Sequence, residues 1–386
     1  MRICLVYDCL FPYTVGGGER WYRNLAERLV ADGHEVTYLT LRQWDQGAKV
    51  DLDERVTVAT AGPRMSLYTS SGRRRILPPL VFGLGVFLHL LRKGRRYDVV
   101  HTSAFPYFSL LSAALLRPLM RYGLVVDWFE VWSRSYWRDY LGGARGRIGA
   151  LVQRVCATIP QRAFCFSELH AARLRQEGLR GPVTILRGLY AGSSERITPR
   201  AADPVVLFAG RLIPEKQATL GVAAMALAVE RIDGLRGEFL GDGPDRAALD
   251  AAIAEHGLQG IVSAPGFADA ETLDAEMRRA LCMLLPSRRE GYGMVVVEAA
   301  ARGTPSVVVA GEDNAATELI VEGVNGTIAQ RADAAALAEA IARVHDAGLA
   351  LRETTTGWFA ENAVALSLEN SLNVVLASYA PASVRK

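Results

Sequence analysis

Residues 284–303 read LLPSRREGYGMVVVEAAARG, with Glu290 in a glycine-rich turn and Glu298 inside an apolar run, seven residues apart in between. The run before Pro286 predicts a strand, and the run from about Met294 to Arg302 predicts a helix. A helix leaves its first amides without intrahelical partners. The amides of Gly291, Tyr292, Gly293, Met294 and Val295 therefore suit an anion at the positive end of the helix. Glu290 can accept hydrogen bonds from sugar hydroxyls. Glu298, one turn further on, reaches elsewhere, and the vicinal hydroxyls of a ribose fit a carboxylate well. A purely structural role competes with this, because Glu near a helix start favours the helix dipole.

A second stretch, FAGRLIPEKQ (208–217), ends a predicted strand at Gly210 and places Arg211 at its carboxyl end, with Lys216 five residues on. Arg offers a planar fork and Lys a compact charge, and the two together suit a diphosphate. Each charge-assisted hydrogen bond contributes about 1.5–3 kcal/mol. Of the 44 basic residues only Lys49, Lys93, Lys216 and Lys386 are lysines, so Lys216 stands out. A surface pair with Glu215 is the structural alternative. A third stretch, GGGER (16–20), follows the first predicted strand and opens a helix. Glycines there let backbone amides approach a phosphate or sugar closely. The pattern is not GxGxxG, which disfavours a dinucleotide dehydrogenase.

These motifs need a scaffold. Short apolar runs alternate with helical patterns: strands at 2–8, 35–40, 56–60, 98–102, 123–129, 163–167 and 183–186, then again at 205–211, 237–243, 282–287 and 305–311. Such alternation predicts α/β architecture with doubly wound parallel sheets covered on both faces. The stretch GLYAGSSERITPRAADP (188–204) has linker composition. Two Rossmann-like domains are expected, at 1–190 and 204–360, with ligands at the carboxyl ends of strands and in the cleft between domains. The 386 residues exceed one typical core. Half are apolar, which excludes a disordered class. Five scattered cysteines form no metal or disulfide pattern and fit a reducing compartment. Asp51 and Asp53 imitate a metal-binding pair but lie far from the other motifs and read as a solvated edge.

The combination of GGxE near the N-terminus, GRLxxEK, GDGP and PSxxEGYGMVVVEAAARGTPSVV resembles the family 4 retaining glycosyltransferases (glycosyl transferases group 1) of GT-B fold. ATELIVEGVNGTI (316–328) and FAENAVALSLENSLNVVLASY extend the resemblance over nearly the whole chain. It implies a nucleotide-sugar donor, UDP- or GDP-linked, and transfer of a hexose-type sugar with retention to a glycan, glycolipid or small-molecule hydroxyl. It further implies that Arg211 and Lys216 neutralise the diphosphate, that Glu290 holds the sugar and Glu298 the ribose. Gly16 and Gly17 would close over the phosphate, with Gly210 at the strand end and Gly266–Phe267 near the base. No cofactor and no metal are implied. A terminal helix, about 365–386, would cross back to the first domain.

The first half departs from that pattern. His101 ends the run DVVH and reads as a structural residue or else as an acceptor contact, with Ser103 at the position expected to be functional. Phe129 stands in VVDWFEVW (125–132) where a second histidine is expected. Asp127 and Glu130 flank it and could contact an acceptor or take its proton. Trp128 and Trp132 could stack on it. A catalytically impaired nucleotide-sugar-binding protein or an epimerase of the same architecture are the competing functions. Charge is uneven: residues 1–199 hold 28 Lys and Arg against 16 Asp and Glu, residues 200–386 hold 16 against 25. The segment 73–96 is apolar between basic clusters and suggests either a buried helix or contact with an anionic membrane. Asp8 interrupts the apolar N-terminus, which reads as a buried strand and not a signal peptide. A cytoplasmic location, peripheral to the inner membrane face, is expected, with no nucleic-acid partner.

Overall fold

The computed structural model describes residues 1–45, 47–67, 69 and 75–379. Arg73 and Arg74 of the first basic cluster, and residues 380–386 of the expected terminal helix, lie outside the described residues. The chain forms two compact units, one of residues 1–69, 75–189 and 369–379, the other of Tyr190–Leu368.

The first unit runs β1 (Arg2–Val6), α1 (Gly17–Ala31), β2 (Glu35–Thr40), β3 (Thr57–Thr60), α2 (Leu77–Lys93), β4 (Val99–Ser103), α3 (Tyr107–Met120), β5 (Gly123–Trp128), α4 (Arg134–Leu141), α5 (Gly143–Thr158), β6 (Arg162–Cys165), α6 (Glu168–Gln176) and β7 (Val183–Ile185). Its seven strands form one sheet in the order β3-β2-β1-β4-β5-β6-β7. Every pairing is parallel. The order reverses between β1 and β4, and open parallel sheets bind ligands outside the strand ends at such a point. The strands are continuous apolar runs because both faces are covered.

The second unit runs β8 (Val205–Ala209), α7 (Ala218–Ala228), β9 (Arg236–Leu240), α8 (Arg246–Glu255), β10 (Val262–Gly266), α9 (Ala270–Arg279), β11 (Cys282–Leu285), β12 (Arg289–Glu290), α10 (Met294–Ala300), β13 (Ser306–Val309), β14 (Asp313–Asn314), β15 (Gly326–Ala329) and α11 (Ala334–Leu366). A six-stranded parallel sheet has the order β10-β9-β8-β11-β13-β15, and β12 pairs with β14 separately. Helix α11 breaks at Gly348, whose φ of 53° and ψ of −135° are not helical. A last helix, α12 (Leu368–Tyr379), belongs to the first unit from Glu369 on.

The predicted parallel α/β architecture is the observed one. Strands β10 and β15 are absent from the sequence-based expectation for a physical reason. Both lie at sheet edges, and their sequences, VSAPG and GTIA, lack the apolar continuity of central strands. All five cysteines are buried, and burial pushes the Cys4, Cys156 and Cys282 thiols up to about 12. Asp51 and Asp53 face arginines, Asp51 with Arg23 at 3.3 Å and Asp53 with Arg55 at 2.7 Å.

The core of the first unit holds a fully buried polar cluster. Asp127 Oδ1 accepts from His101 Nε2 at 2.9 Å and Oδ2 from Trp21 Nε1 at 2.7 Å. His101 Nδ1 meets the Tyr379 hydroxyl at 2.5 Å. Burial, then the nearby Asp127 charge, push that hydroxyl well above its ordinary range, so it stays protonated and can donate. The cluster joins α1, β4, β5 and α12. Its removal is costly because a buried donor left unpaired loses about 1–3 kcal/mol. Asp127→Ala, which orphans two donors, should lower the melting temperature by roughly 5–15 °C. Turnover per folded molecule should stay near the parent's. Calorimetry and initial rates check this, and a rate loss at unchanged melting temperature would return Asp127 to the reaction.

Candidate active site

In the second unit, the turn after β8 is set by backbone pairing with the turn after β9. Gly210 N–H donates to Leu240 O at 3.0 Å and Leu212 N–H to Asp242 O at 2.9 Å. Glycine is required at Gly241 (φ 146°) and Gly243 (φ 156°). A Cβ there would lie 1.8 Å from Gly210 O and 2.3 Å from Leu212 O. This close approach holds Arg211 at the carboxyl end of β8, exposed and with no side-chain partner among the described residues. Lys216 ends the single turn of 3₁₀ helix that follows.

Lys216 Nζ then meets Glu290 Oε1 at 2.5 Å, the two side chains 21% and 9% exposed. The structure thus brings together two residues 74 apart that were singled out for different roles. Two further links fasten the turns. Arg288 N–H donates to Glu215 O at 2.9 Å, and Arg289 Nη2 lies 3.9 Å from Glu215 Oε1. Glu215 therefore faces Arg289 and Lys216 faces Glu290, a cross-turn arrangement in place of the alternative surface pair with Glu215.

Asn314, which the sequence reading did not single out, secures the Glu290 turn. It is buried, its Nδ2 donates to Ser287 O (3.0 Å) and Val309 O (2.8 Å), and its Oδ1 accepts from Ala316 N–H (3.0 Å). The signal available was an Asn in the polar stretch GEDN (311–314) past an apolar strand, a common turn residue with no functional flag. Gly293 caps α10 with φ 99°, and a Cβ there would sit 2.7 Å from Ala316 Cβ. Helix α10 has only seven residues, so its dipole is modest and the two cations carry most of any anion attraction. Tyr292 is buried. Gly291, Met294 and Val295 are half-buried around it. Glu298 is half-buried on α10, and its carbonyl accepts from Arg302 Nη1 at 3.1 Å. Phe267, directly after β10, is 81% exposed.

In the first unit, Gly16 is the N-cap of α1 and Gly17 its first residue. A Cβ on Gly18 would lie 2.4 Å from the Tyr7 hydroxyl and 3.4 Å from Phe129. The glycine turn, Tyr7 at the end of β1 and Phe129 at the end of β5 are therefore neighbours. Tyr7 was missed because a Tyr closing an apolar strand reads as core. Phe129 is half-buried, stacked on Phe166 at 4.8 Å between ring centroids. Glu130 accepts from Trp132 Nε1 at 2.7 Å, and Trp132 packs among Tyr136, Trp137 and Tyr140.

Four expectations for this unit are corrected. Asp127 and His101 are fully enclosed and satisfied by the cluster described above, so neither presents an oxygen or nitrogen to an acceptor. Ser103 is buried, its Oγ donating to Phe105 O at 2.7 Å. Trp128 is buried, its Nε1 donating to Gln161 Oε1 at 2.9 Å. All four lie on β4 or β5, two of the sheet's five inner strands, where both faces of a strand are covered. Glu130, Phe129 and Trp132 lie beyond the strand end and keep partial exposure.

Two family models match along the chain, "Glycosyl transferase 4-like domain" over residues 16–187 and "Glycosyl transferases group 1" over residues 193–355. Glycogen synthase from Mycobacterium tuberculosis is 30% identical over 369 residues, 90% of this chain and 86% of that protein. The chain belongs to the group 1 glycosyltransferases. Alpha-D-kanosaminyltransferase of Streptomyces kanamyceticus is 31% identical over 143 residues, 37% of this chain and only 36% of that enzyme's length. Among solved structures, Anabaena HepE in complex with UDP superposes with a TM-score of 0.71 at 20% identity, covering 98% of this chain and 99% of that one. The fold is thus GT-B, with two Rossmann-like parallel sheets.

Asn314→Ala leaves two carbonyls and one amide without partners. It should destabilise the second unit by about 2–4 kcal/mol and loosen the Glu290 turn. Denaturant unfolding checks the first effect, and chemical-shift or proteolysis mapping of residues 286–294 the second.

Proposed function

We propose that this glycosyltransferase moves a hexose-type sugar from a UDP- or GDP-linked donor to a hydroxyl of a glycan, glycolipid or small-molecule acceptor, with retained configuration and without a metal. The observation that carries this is the Lys216–Glu290 pair at 2.5 Å, with exposed Arg211 on the same turn as Lys216. A carboxylate that can accept sugar hydroxyl protons thus stands beside two cations that match a diphosphate. The UDP bound by HepE supports a nucleotide donor for a chain of this fold.

In this mechanism the paired Glu290 holds Lys216 in place before the donor arrives. The diphosphate then shares Lys216 and recruits Arg211, while Glu290 accepts from the sugar. Glu298 takes the ribose hydroxyls. The bond from the anomeric carbon to the leaving phosphate oxygen breaks, and a bond to the acceptor oxygen forms on the same face. The acceptor proton passes to the leaving phosphate oxygen, so no enzyme nucleophile is needed and Phe129 can stand where the family resemblance leads one to expect a histidine. Lys216 and Arg211 stabilise the negative charge that grows on that oxygen, the kind of preorganised electrostatic effect that dominates many enzymes. Glu130, beside Phe129 in the chain and partly exposed, is the candidate acceptor contact.

Arg211→Ala and Lys216→Ala should each lower turnover roughly 10²–10³-fold, the cost of one such donor. Near-normal rates in both would refute the assignment. Glu298→Ala should chiefly weaken nucleotide affinity, read by isothermal titration. A thermal-shift screen across nucleoside diphosphates identifies the base, because the right ligand raises the melting temperature. Turnover should survive EDTA unchanged, and a loss restored by a divalent cation would replace the two-cation mechanism.

A further inference from the structure

Helix α2 is apolar on two faces. Phe82, Val86 and Leu90 enter the core, as the buried-helix expectation required. Leu77, Leu80, Leu84, Leu88 and Leu91 form a second stripe, at the spacing of successive helical turns, and all are exposed, Leu84 by 61%. A helix apolar all round is buried or faces lipid. The stripe does not stand alone. Helix α2 packs on α3 and α3 on α5. Helix α3 exposes Leu115 (71%) and Leu119, and α5 exposes Ile148, Leu151 (60%) and Val155.

Charge decides what covers this face. Helices α2, α3 and α5 hold 47 residues without one Asp or Glu. At the chain's overall frequency, 41 in 386, about five acids would be expected there. They carry Arg92, Lys93, Arg117, Arg145, Arg147 and Arg154 instead. By contrast α1, one of the unit's other helices, carries Glu19 and Glu27 among its arginines. Arg95, Arg96 and Arg121 continue the basic rim just past the ends of α2 and α3, and none has a carboxylate partner among the described residues. Beside Leu119 a depression of about 810 Å³ is lined by Arg2, Arg95 and Arg121, with Asp98 already paired to Arg2. Apolar side chains rimmed by unpaired cations match acyl chains below anionic headgroups. No described helix is long and apolar enough to cross a membrane, so the contact is with the interface.

We propose that α2, α3 and α5 form a docking face for the surface of an anionic phospholipid bilayer, their leucines entering the acyl boundary and the rim arginines holding headgroup phosphates. This is independent of the sugar-transfer assignment. The test is flotation of the full chain with vesicles of phosphatidylcholine alone or with about one-third phosphatidylglycerol. The expected result is co-flotation with the anionic vesicles at low salt, weakening as salt rises. Leu84→Glu/Leu88→Glu should lower the partition coefficient about tenfold or more. Arg92→Ala/Arg96→Ala should lower it about tenfold and flatten its salt dependence. Nucleotide-induced thermal shifts should persist in both variants, and if the glutamate variant fails to fold the arginine variant still decides. Absence of flotation at low salt, or unchanged partition in the folded variants, overturns the proposal. So does concentration-dependent self-association without flotation that the leucine changes abolish, which would make a second copy of the chain the occupant.

Discussion

A parallel sheet sends the carboxyl end of every strand to the same edge, and the candidate site of this protein is a consequence of that constraint. In the second unit, β8 delivers Arg211 and Lys216, β10 delivers Phe267, and the turn after β11 delivers Glu290. No residue had to be carried there by a long loop. The turns touch through backbone hydrogen bonds and glycines with no room for a side chain, and Lys216 and Glu290 stand within a hydrogen-bond length of each other, with Arg211 exposed on the same turn as Lys216. Preorganisation of this kind is what makes fixed charges effective against a charge that develops during reaction.

Two carboxylates illustrate how environment assigns a role that residue type leaves open. Glu290 and Asp127 each follow an apolar run and each meet a basic or ring nitrogen. Glu290 sits at a rim with a lysine that an incoming anion can share. Asp127 lies inside the sheet, and both its oxygens are consumed by His101 and Trp21. The first arrangement can exchange partners with a ligand. The second fastens α1 and α12 to the sheet and would lose stability by any exchange.

The same distinction applies to apolar surface. Burial of one stripe of α2 is enough to fix the helix on the sheet. The second stripe contributes nothing to that packing and is flanked by cations without acids. Exposed leucines scattered singly need no explanation, whereas a row on one helix beside further exposed apolar residues on the helices packed next to it does.

The sequence alone determined the parallel α/β architecture, the family, and the pairing of glycine turns with Arg211, Lys216, Glu290 and Glu298. These were legible because apolar periodicity and turn chemistry are local, and the motifs lie within a few residues of their strands. Edge strands β10 and β15 escaped because a half-paired strand needs less apolar continuity. Tertiary structure decided what depends on residues distant in the chain. Lys216 and Glu290 are 74 residues apart, Asn314 holds a turn 27 residues before it, and Tyr379 reaches His101 across 278. It also decided which of two helix faces and which side of a strand is covered. His101, Ser103, Asp127 and Trp128 looked available because sequence shows a residue's chemistry but not its depth. Depth follows from what packs on a strand from elsewhere in the chain, and that is settled only when the whole unit closes.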